Sequence, residues 1–161
     1  MNMSDLVADT STLEQVFTGG RWLEGPCWLP QTNTLRFSDV IGNRVWDYDP
    51  AAKESTVHSE SPDHVNGRTI DLDGAVVQCS HGGRRLERDV DGDISVIVDH
   101  WQEYRFNAPN DVVVSSDGSI WFTDPAYGII YPEEGHPGKR EYCDHRSEEH
   151  TSELQSRVSI S

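Results

Sequence analysis

The stretch that decides the fold is residues 107–128, which read NAPNDVVVSSDGSIWFTDPAYG. Two apolar runs flank Asp117-Gly118 in this stretch. An Asp-Gly pair between apolar runs is a strong hairpin signal, because glycine reaches positive φ without steric cost. Asn107 and Asn110-Asp111 precede the first run, and a hairpin does not require them. The stretch therefore predicts a β-hairpin whose leading end carries polar side chains with another role.

The same pattern occurs twice earlier in the chain. Residues 34–39 align with residues 75–80, and these align with residues 119–124. The spacing of roughly 40–45 residues, with four short strands per unit, is the signature of β-propeller blades. A sandwich or an open meander would also contain short strands, but without matching motifs at a fixed period. We therefore predict an all-β propeller fold, with about three blades in this chain.

Composition restricts the class of protein. The 161 residues include 28 Asp and Glu against 13 Lys and Arg, a net charge of −15, which repels nucleic acid. Three cysteines, Cys27, Cys79 and Cys143, form neither a disulfide framework nor a zinc motif. The first residues lack a signal-peptide pattern, and no apolar run approaches the ~20 residues of a membrane helix. We expect a reduced cytoplasmic protein without nucleic-acid or membrane partners.

Three polar residues occupy nearly the same slot of the three repeats: Glu24, Asn66 and Asn110. In a propeller this slot is the end of the innermost strand, which opens at one rim of the central channel. One carboxylate and two amides are hard oxygen donors, suited to Ca²⁺, Mg²⁺ or Mn²⁺. The alternative is that the two asparagines are turn residues and Glu24 is a solvated charge.

Two further residues are candidates for binding a substrate. His81 is either a channel-facing donor or a turn histidine whose ring is satisfied by the backbone. Arg105 either pairs with a carboxylate or sugar oxygen or lies on the surface. The sequence contains no metalloprotease, nucleophile-elbow or dinucleotide motif.

Together these motifs resemble the SMP-30/gluconolactonase/LRE-like family, in particular its bacterial gluconolactonase-like branch, from about residue 18 to 143. They are Glu24-Gly25-Pro26-Cys27-Trp28, Asn66-Gly67 with Asp71-x-Asp73-Gly74, Cys79-Ser80-His81-Gly82-Gly83-Arg84-Arg85, and residues 107–111 with 117–128. The resemblance implies a six-bladed propeller that hydrolyses sugar lactones with one divalent metal ion in the channel: Ca²⁺, Zn²⁺, Mg²⁺ or Mn²⁺.

The resemblance also implies roles for individual residues. Glu24 matches the metal-binding glutamate, and Asn110 matches an asparagine that contacts the substrate or the metal-bound water. Arg105, Asn66 and His81 match positions assigned to substrate binding. The aspartate that serves as general base lies in later blades, so no catalytic residue is expected within this chain.

The ends of the chain are expected to lie outside the propeller. We predict a leader over residues 1–17, a partial propeller over 18–145, and a tail over 146–161. Residues 146–156 read RSEEHTSELQS, which resembles the translation of a common sequencing-library adapter, so we interpret the tail as an artefact on a truncated chain. The truncated chain is expected to be inactive. A non-catalytic propeller that binds calcium or another ligand, or acts as a scaffold, remains the alternative.

Overall fold

The computed structural model describes residues 14–141 and the backbone of residues 157–160. Nearly all of its regular elements are β-strands, as the sequence predicts. In chain order the elements are β1 (Leu23–Leu29), β2 (Thr34–Asp39), β3 (Arg44–Asp49), β4 (Glu54–Glu60), β5 (Val65–Ile70), β6 (Val76–Ser80), β7 (Arg85–Val90), β8 (Asp93–Val98), β9 (His100–Trp101), β10 (Tyr104–Arg105), β11 (Val112–Val114), β12 (Ile120–Thr123), α1 (Tyr127–Ile130) and β13 (Arg157–Ile160).

The strands form consecutive antiparallel sheets. The first has the order β1-β2-β3-β4, the second β5-β6-β7-β8 and the third β11-β12-β13, while β9 and β10 form a short ribbon. The aligned segments become β2, β6 and β12, which are the second strands of the three sheets. The first two sheets confirm the predicted repeat of four-stranded antiparallel meanders. The third sheet has three described strands, the last from residues 157–160, and the described residues do not form a closed ring.

The predicted hairpin joins β11 and β12. Val112 pairs with Phe122, and Val114 pairs with Ile120. Gly118 has a φ of 86°, a conformation that a side chain would oppose. The amide of Gly118 donates to the carbonyl of Ser115 at 2.9 Å, which closes the turn at the place that Asp117-Gly118 predicts.

The principal hydrophobic core lies between the second and third sheets. Six side chains form it: Val77, Cys79, Leu86, Phe106, Val112 and Phe122. The rings of Phe106 and Phe122 meet edge to face, with centroids 5.0 Å apart. Full burial of an aliphatic or aromatic side chain contributes about 1.5–3 kcal/mol, so this cluster attaches the hairpin to the preceding sheet.

A network of charged side chains joins the first sheet to the second. Arg36 on β2 pairs with Asp47 at 2.8 Å and with Asp89 on β7 at 2.9 Å. His58 on β4 pairs through Nε2 with the same carboxylate of Asp89 at 2.9 Å. Asp89 is 2% exposed, and buried charges of this kind require partners. The network therefore holds two sheets together by polar contacts.

Two features lie outside what the sequence predicts. The short helix α1 follows the hairpin, where the sequence gives no helical pattern. The ring of Phe17, assigned to the leader, packs against Phe37 with centroids 4.9 Å apart.

Residues 1–13 and most of the tail, residues 142–156 and 161, lie outside the described residues. Residues 157–160 pair with β12 as strand β13, and the artefact interpretation of the tail stays a prediction. Among the described helices, none has the length and apolar character needed to cross a membrane.

Candidate functional site

Three of the predicted site residues line one cavity. Glu24, Asn66 and Asn110 lie on the wall of a cavity of about 320 Å³. Glu24 lies in β1, Asn66 lies in β5, and Asn110 lies just before β11. The cavity therefore receives one residue from each of the three sheets, at the position that the repeat alignment indicates.

Two glycines allow β1, β5 and the segment before β11 to lie in close contact beside the cavity. A Cβ on Gly25, whose φ is 55°, would collide with the carbonyl of Asn66 and lie 2.9 Å from the Cα of Gly67. A Cβ on Gly67 would lie 2.7 Å from the carbonyl oxygen of Asn110. The amide of Gly67 donates to that same carbonyl at 2.8 Å. Gly25 and Gly67 therefore bring the backbones of the three sheets into contact beside the cavity.

Each of the two strands that carry Glu24 and Asn66 contains a bulge at the site. The register of β1 shifts between Glu24 and Cys27, and that of β5 shifts between Val65 and Arg68. A bulge changes the direction of the side chains beside it and occurs often next to functional sites. The sequence motifs Glu-Gly-Pro and Asn-Gly mark these two bulges.

Arg68, which also lines the cavity, joins the two bulges. Its Nη1 donates to the carbonyl of Gly25 at 3.0 Å, and its Nη2 donates to Oγ of Ser38. Ser38 in turn donates to the carbonyl of Asn66 at 3.1 Å. Burial lowers the pKa of Arg68 to about 10, so the guanidinium remains charged at neutral pH. Sequence reasoning did not identify Arg68, because its partners, the carbonyl of Gly25 and the hydroxyl of Ser38, lie far from it in the sequence.

The cavity offers oxygen donors for a hard cation. Glu24 and Asp111 bring carboxylates, and Asn66 and Asn110 bring amide oxygens. Oε1 of Glu24 accepts a hydrogen bond from Nε1 of Trp22 at 3.2 Å. Within residues 14–141, no three His, Cys, Asp or Glu side chains group together to hold a metal ion. The donor set therefore fits Ca²⁺, Mg²⁺ or Mn²⁺ better than Zn²⁺, and binding would depend on amide oxygens.

His81 lies close to the site but not on the wall of this cavity. Its ring is fully buried, and Nδ1 donates to the carbonyl of Pro109 at 3.0 Å. Nε2 is buried without a hydrogen-bond partner and lies 3.8 Å from Oε2 of Glu134. Burial lowers the pKa of His81, and the neighbouring His64 adds to this, against the opposing effect of the Pro109 contact. The ring is therefore neutral at pH 7.

Arg105 is not brought to the other predicted residues. Its Nη2 donates to the carbonyl of Gly83 at 3.1 Å, and its amide donates to Glu141 at 2.9 Å. Neither Arg105 nor its partners lie on the wall of the cavity around Glu24. In this structure the side chain connects the β9–β10 ribbon to the turn between β6 and β7.

Glu134 is a residue of this region that sequence reasoning missed. Burial raises its pKa, and the charges of Glu133 and Glu24 raise it further, while His64 opposes the shift. Glu134 therefore lies within the electrostatic field of Glu24. It sits in an ordinary polar stretch, residues 131–141, and no spacing or motif in that stretch indicates a site.

Comparison with known proteins places the chain in a family. The family model described as SMP-30/Gluconolactonase/LRE-like region matches residues 22–161. The chain belongs to this family. Among its relatives in the family, the gluconolactonase of Zymomonas mobilis is 33% identical over 140 residues, which covers 78% of this chain and 39% of the relative.

Solved structures agree with this assignment. A gluconolactonase from Xanthomonas campestris matches with a TM-score of 0.80 and 31% identity, covering 91% of this chain and 46% of that protein. A putative gluconolactonase matches with a TM-score of 0.76 and 38% identity, covering 80% of this chain and 45% of that protein. The regucalcin of Agrobacterium tumefaciens, at 19% identity and a TM-score of 0.50, shares the propeller-type fold alone. The chain therefore spans less than half the length of its gluconolactonase relatives.

Proposed function

We propose that this chain is part of a lactone hydrolase whose site is the cavity around Glu24. The observation that supports this proposal is the convergence of Glu24, Asn66 and Asn110, one from each sheet, on one cavity. The relatives named gluconolactonase in the same family indicate the substrate class, a sugar lactone. We further propose that the complete protein is a ring of six blades, of which this chain supplies the first three.

Hydrolysis of a lactone requires that water add to the carbonyl carbon and that the bond from this carbon to the ring oxygen break. The product is a hydroxy acid. Asn66 and Asn110 can each donate and accept hydrogen bonds, and are suited to orient the hydroxyl groups of a sugar ring. Glu24 and Asn110 would hold a divalent cation, which when bound polarises a carbonyl and stabilises its developing negative charge.

The general base is expected to be an aspartate outside this chain, as the family resemblance implies. We therefore expect the 161-residue chain alone to release no acid from glucono-1,5-lactone above the spontaneous rate. Acid release that depends on added Ca²⁺ or Mn²⁺ and disappears in Glu24→Ala would contradict this expectation.

Cation binding tests the site without requiring activity. Titration calorimetry of the 161-residue chain with Ca²⁺, Mg²⁺, Mn²⁺ and Zn²⁺ should show weak binding that Glu24→Gln abolishes. Glu133→Gln is the matched control, since it removes the same charge from an exposed position. Equal cation affinity of the wild type and Glu24→Gln would show that Glu24 is not a ligand of the cation.

Activity requires the longer protein. If the genomic reading frame continues beyond the codon for His145, the encoded protein should hydrolyse sugar lactones. In that protein Glu24→Gln should reduce kcat/KM at least about 100-fold, which is the effect of losing one group that stabilises charge in a transition state. A longer protein that binds Ca²⁺ through Glu24 but hydrolyses no lactone would favour the second candidate, a non-catalytic calcium- or ligand-binding propeller. The observation that supports this second candidate is that the possible metal ligands around the cavity are all oxygen atoms.

A further inference from the structure

Residues 131–141, here called the strap, fold back from α1 towards the second sheet. The amide of Gly138 donates to the carbonyl of Ile129 at 3.1 Å. Nε2 of His136 lies 2.6 Å from Oδ1 of Asp63, in the turn before β5. The backbone of Gly135 contacts Gly128 so closely that there is no room for a Cβ. These contacts hold Glu134 beside His81.

The hydrogen bonding of His81 defines which ring nitrogen carries the proton. The carbonyl of Pro109 can only accept a hydrogen bond, so Nδ1 carries the proton and donates. Nε2 of the neutral ring then presents a lone pair. This lone pair is fully buried and has no donor, a condition that destabilises a polar atom in a protein.

Oε2 of Glu134, an ionisable oxygen, lies 3.8 Å from Nε2. When Glu134 is ionised, two acceptors face each other and repel. When Glu134 is protonated, its O–H can donate to Nε2 after a small movement of the side chain. A hydrogen bond made only to the neutral form of an acid favours that form.

The surrounding charges favour the same outcome. Glu133 on the strap and Glu24 on β1 both act on Glu134 as like charges, and His64 is the opposing basic group. His64 also acts on His81, and its own Nδ1 is engaged with the carbonyl of Val40 at 2.8 Å. Placing one proton on Glu134 therefore removes a repulsion with Glu24 as well as the repulsion with Nε2.

We propose that Glu134 and His81 form a proton-binding pair beside the cavity, in which Glu134 takes up one proton, donates it to Nε2 of His81, and so fastens the strap to the second sheet. Oε2 gains the proton, and Nε2 accepts the hydrogen bond without itself being protonated. The pair exists independently of the proposed hydrolysis, although it also supplies a proton acceptor near a cavity in which hydrolysis would release a proton.

The experiment is an NMR titration of the 161-residue chain with ¹³C-labelled Glu and ¹⁵N-labelled His. We expect the Glu134 carboxyl to titrate at higher pH than the carboxyl of a glutamate in an unstructured peptide, because burial raises its pKa. The ¹⁵N shift of Nε2 in His81 should change in the same pH range, while Nδ1 remains protonated. Titration of Glu134 at the pH of the peptide glutamate, or an Nε2 shift that does not change with the Glu134 transition, would overturn the proposed pair.

Amide exchange of the strap provides a second measurement. In wild type, protection of the Gly138 amide should rise about five- to tenfold on protonation of Glu134, the effect of about one net hydrogen bond. Glu134→Gln retains a donor for Nε2 but cannot titrate, so the strap should stay protected at all pH values. Glu133→Gln should keep a pH-dependent rise in protection, shifted to lower pH because one like charge beside Glu134 is removed. If amide protection in Glu134→Gln also changes with pH as it does in the wild type, the proposal is wrong.

Discussion

Asp89→Asn should destabilise the protein strongly, because Asp89 is the buried anion that joins the first two sheets. Its Oδ2 accepts from Nη1 of Arg36 and from Nε2 of His58, each at 2.9 Å, and Oδ1 accepts from the amide of Gly92 at 2.7 Å. Nη2 of Arg36 lies 2.9 Å from Nδ1 of His58. Since Arg can only donate, the histidine is the neutral tautomer with its proton on Nε2.

An asparagine at position 89 cannot satisfy these three donors. The amide nitrogen would face either the Gly92 amide or the pair of Arg36 and His58, and the charge of Arg36 would lose a buried partner. Removing one member of a buried ion pair costs about 3–5 kcal/mol. With a urea m-value of about 1–3 kcal/mol/M for a small domain, the midpoint should fall by at least about 1 M.

Urea unfolding followed by tryptophan fluorescence measures this change. The matched control is Asp73→Asn, which removes the same charge from a side chain that is 85% exposed and lies 3.6 Å from Arg88. The control should leave the midpoint unchanged, since exposed ion pairs contribute little. A midpoint for Asp89→Asn equal to that of the control would show that the network contributes no stability, and would refute the reasoning.

Three further predictions concern the same sheets. Burial raises the pKa of Asp89, but its hydrogen bonds to His58 and Gly92 and the charge of Arg36 outweigh this effect, so the pKa is lowered. Its contribution to the free energy of unfolding is therefore full above the unfolded pKa of about 3.9 and is lost as pH falls through the lowered pKa. The acid titration of stability should accordingly be shallower in Asp89→Asn. Gly67→Ala should lower the free energy of unfolding by about 1–3 kcal/mol through overpacking against the third sheet. Gly74→Ala should lower it by about 1–2 kcal/mol from backbone conformation alone, because the φ is 89° and the new Cβ would meet only the flexible end of a glutamine side chain. Equal amide-exchange protection of the strands beside the cavity in the two variants would contradict the role of Gly67. Leu86→Ala should cost about 2–5 kcal/mol because the side chain is 0% exposed, while Leu72→Ala, at 64% exposure, should be nearly neutral in the same urea assay.

The sequence by itself determined the repeating architecture. Asp117-Gly118 marks a turn that only a residue tolerant of positive φ adopts easily, and the short apolar runs on both sides favour strands. These signals are local, so they can be interpreted without the rest of the chain. The repeat then aligned Glu24, Asn66 and Asn110, because residues at equivalent positions of equivalent sheets meet at one end of the fold.

Tertiary structure alone decided which side chains act together around that cavity. Arg105 is close in sequence to Asn110, yet its guanidinium binds the carbonyl of Gly83. Oε2 of Glu134 lies 3.8 Å from Nε2 of His81 because the strap turns back after α1. The physical reason is that burial, hydrogen-bond direction and charge depend on which distant segments pack together, and no local period in the sequence records those contacts.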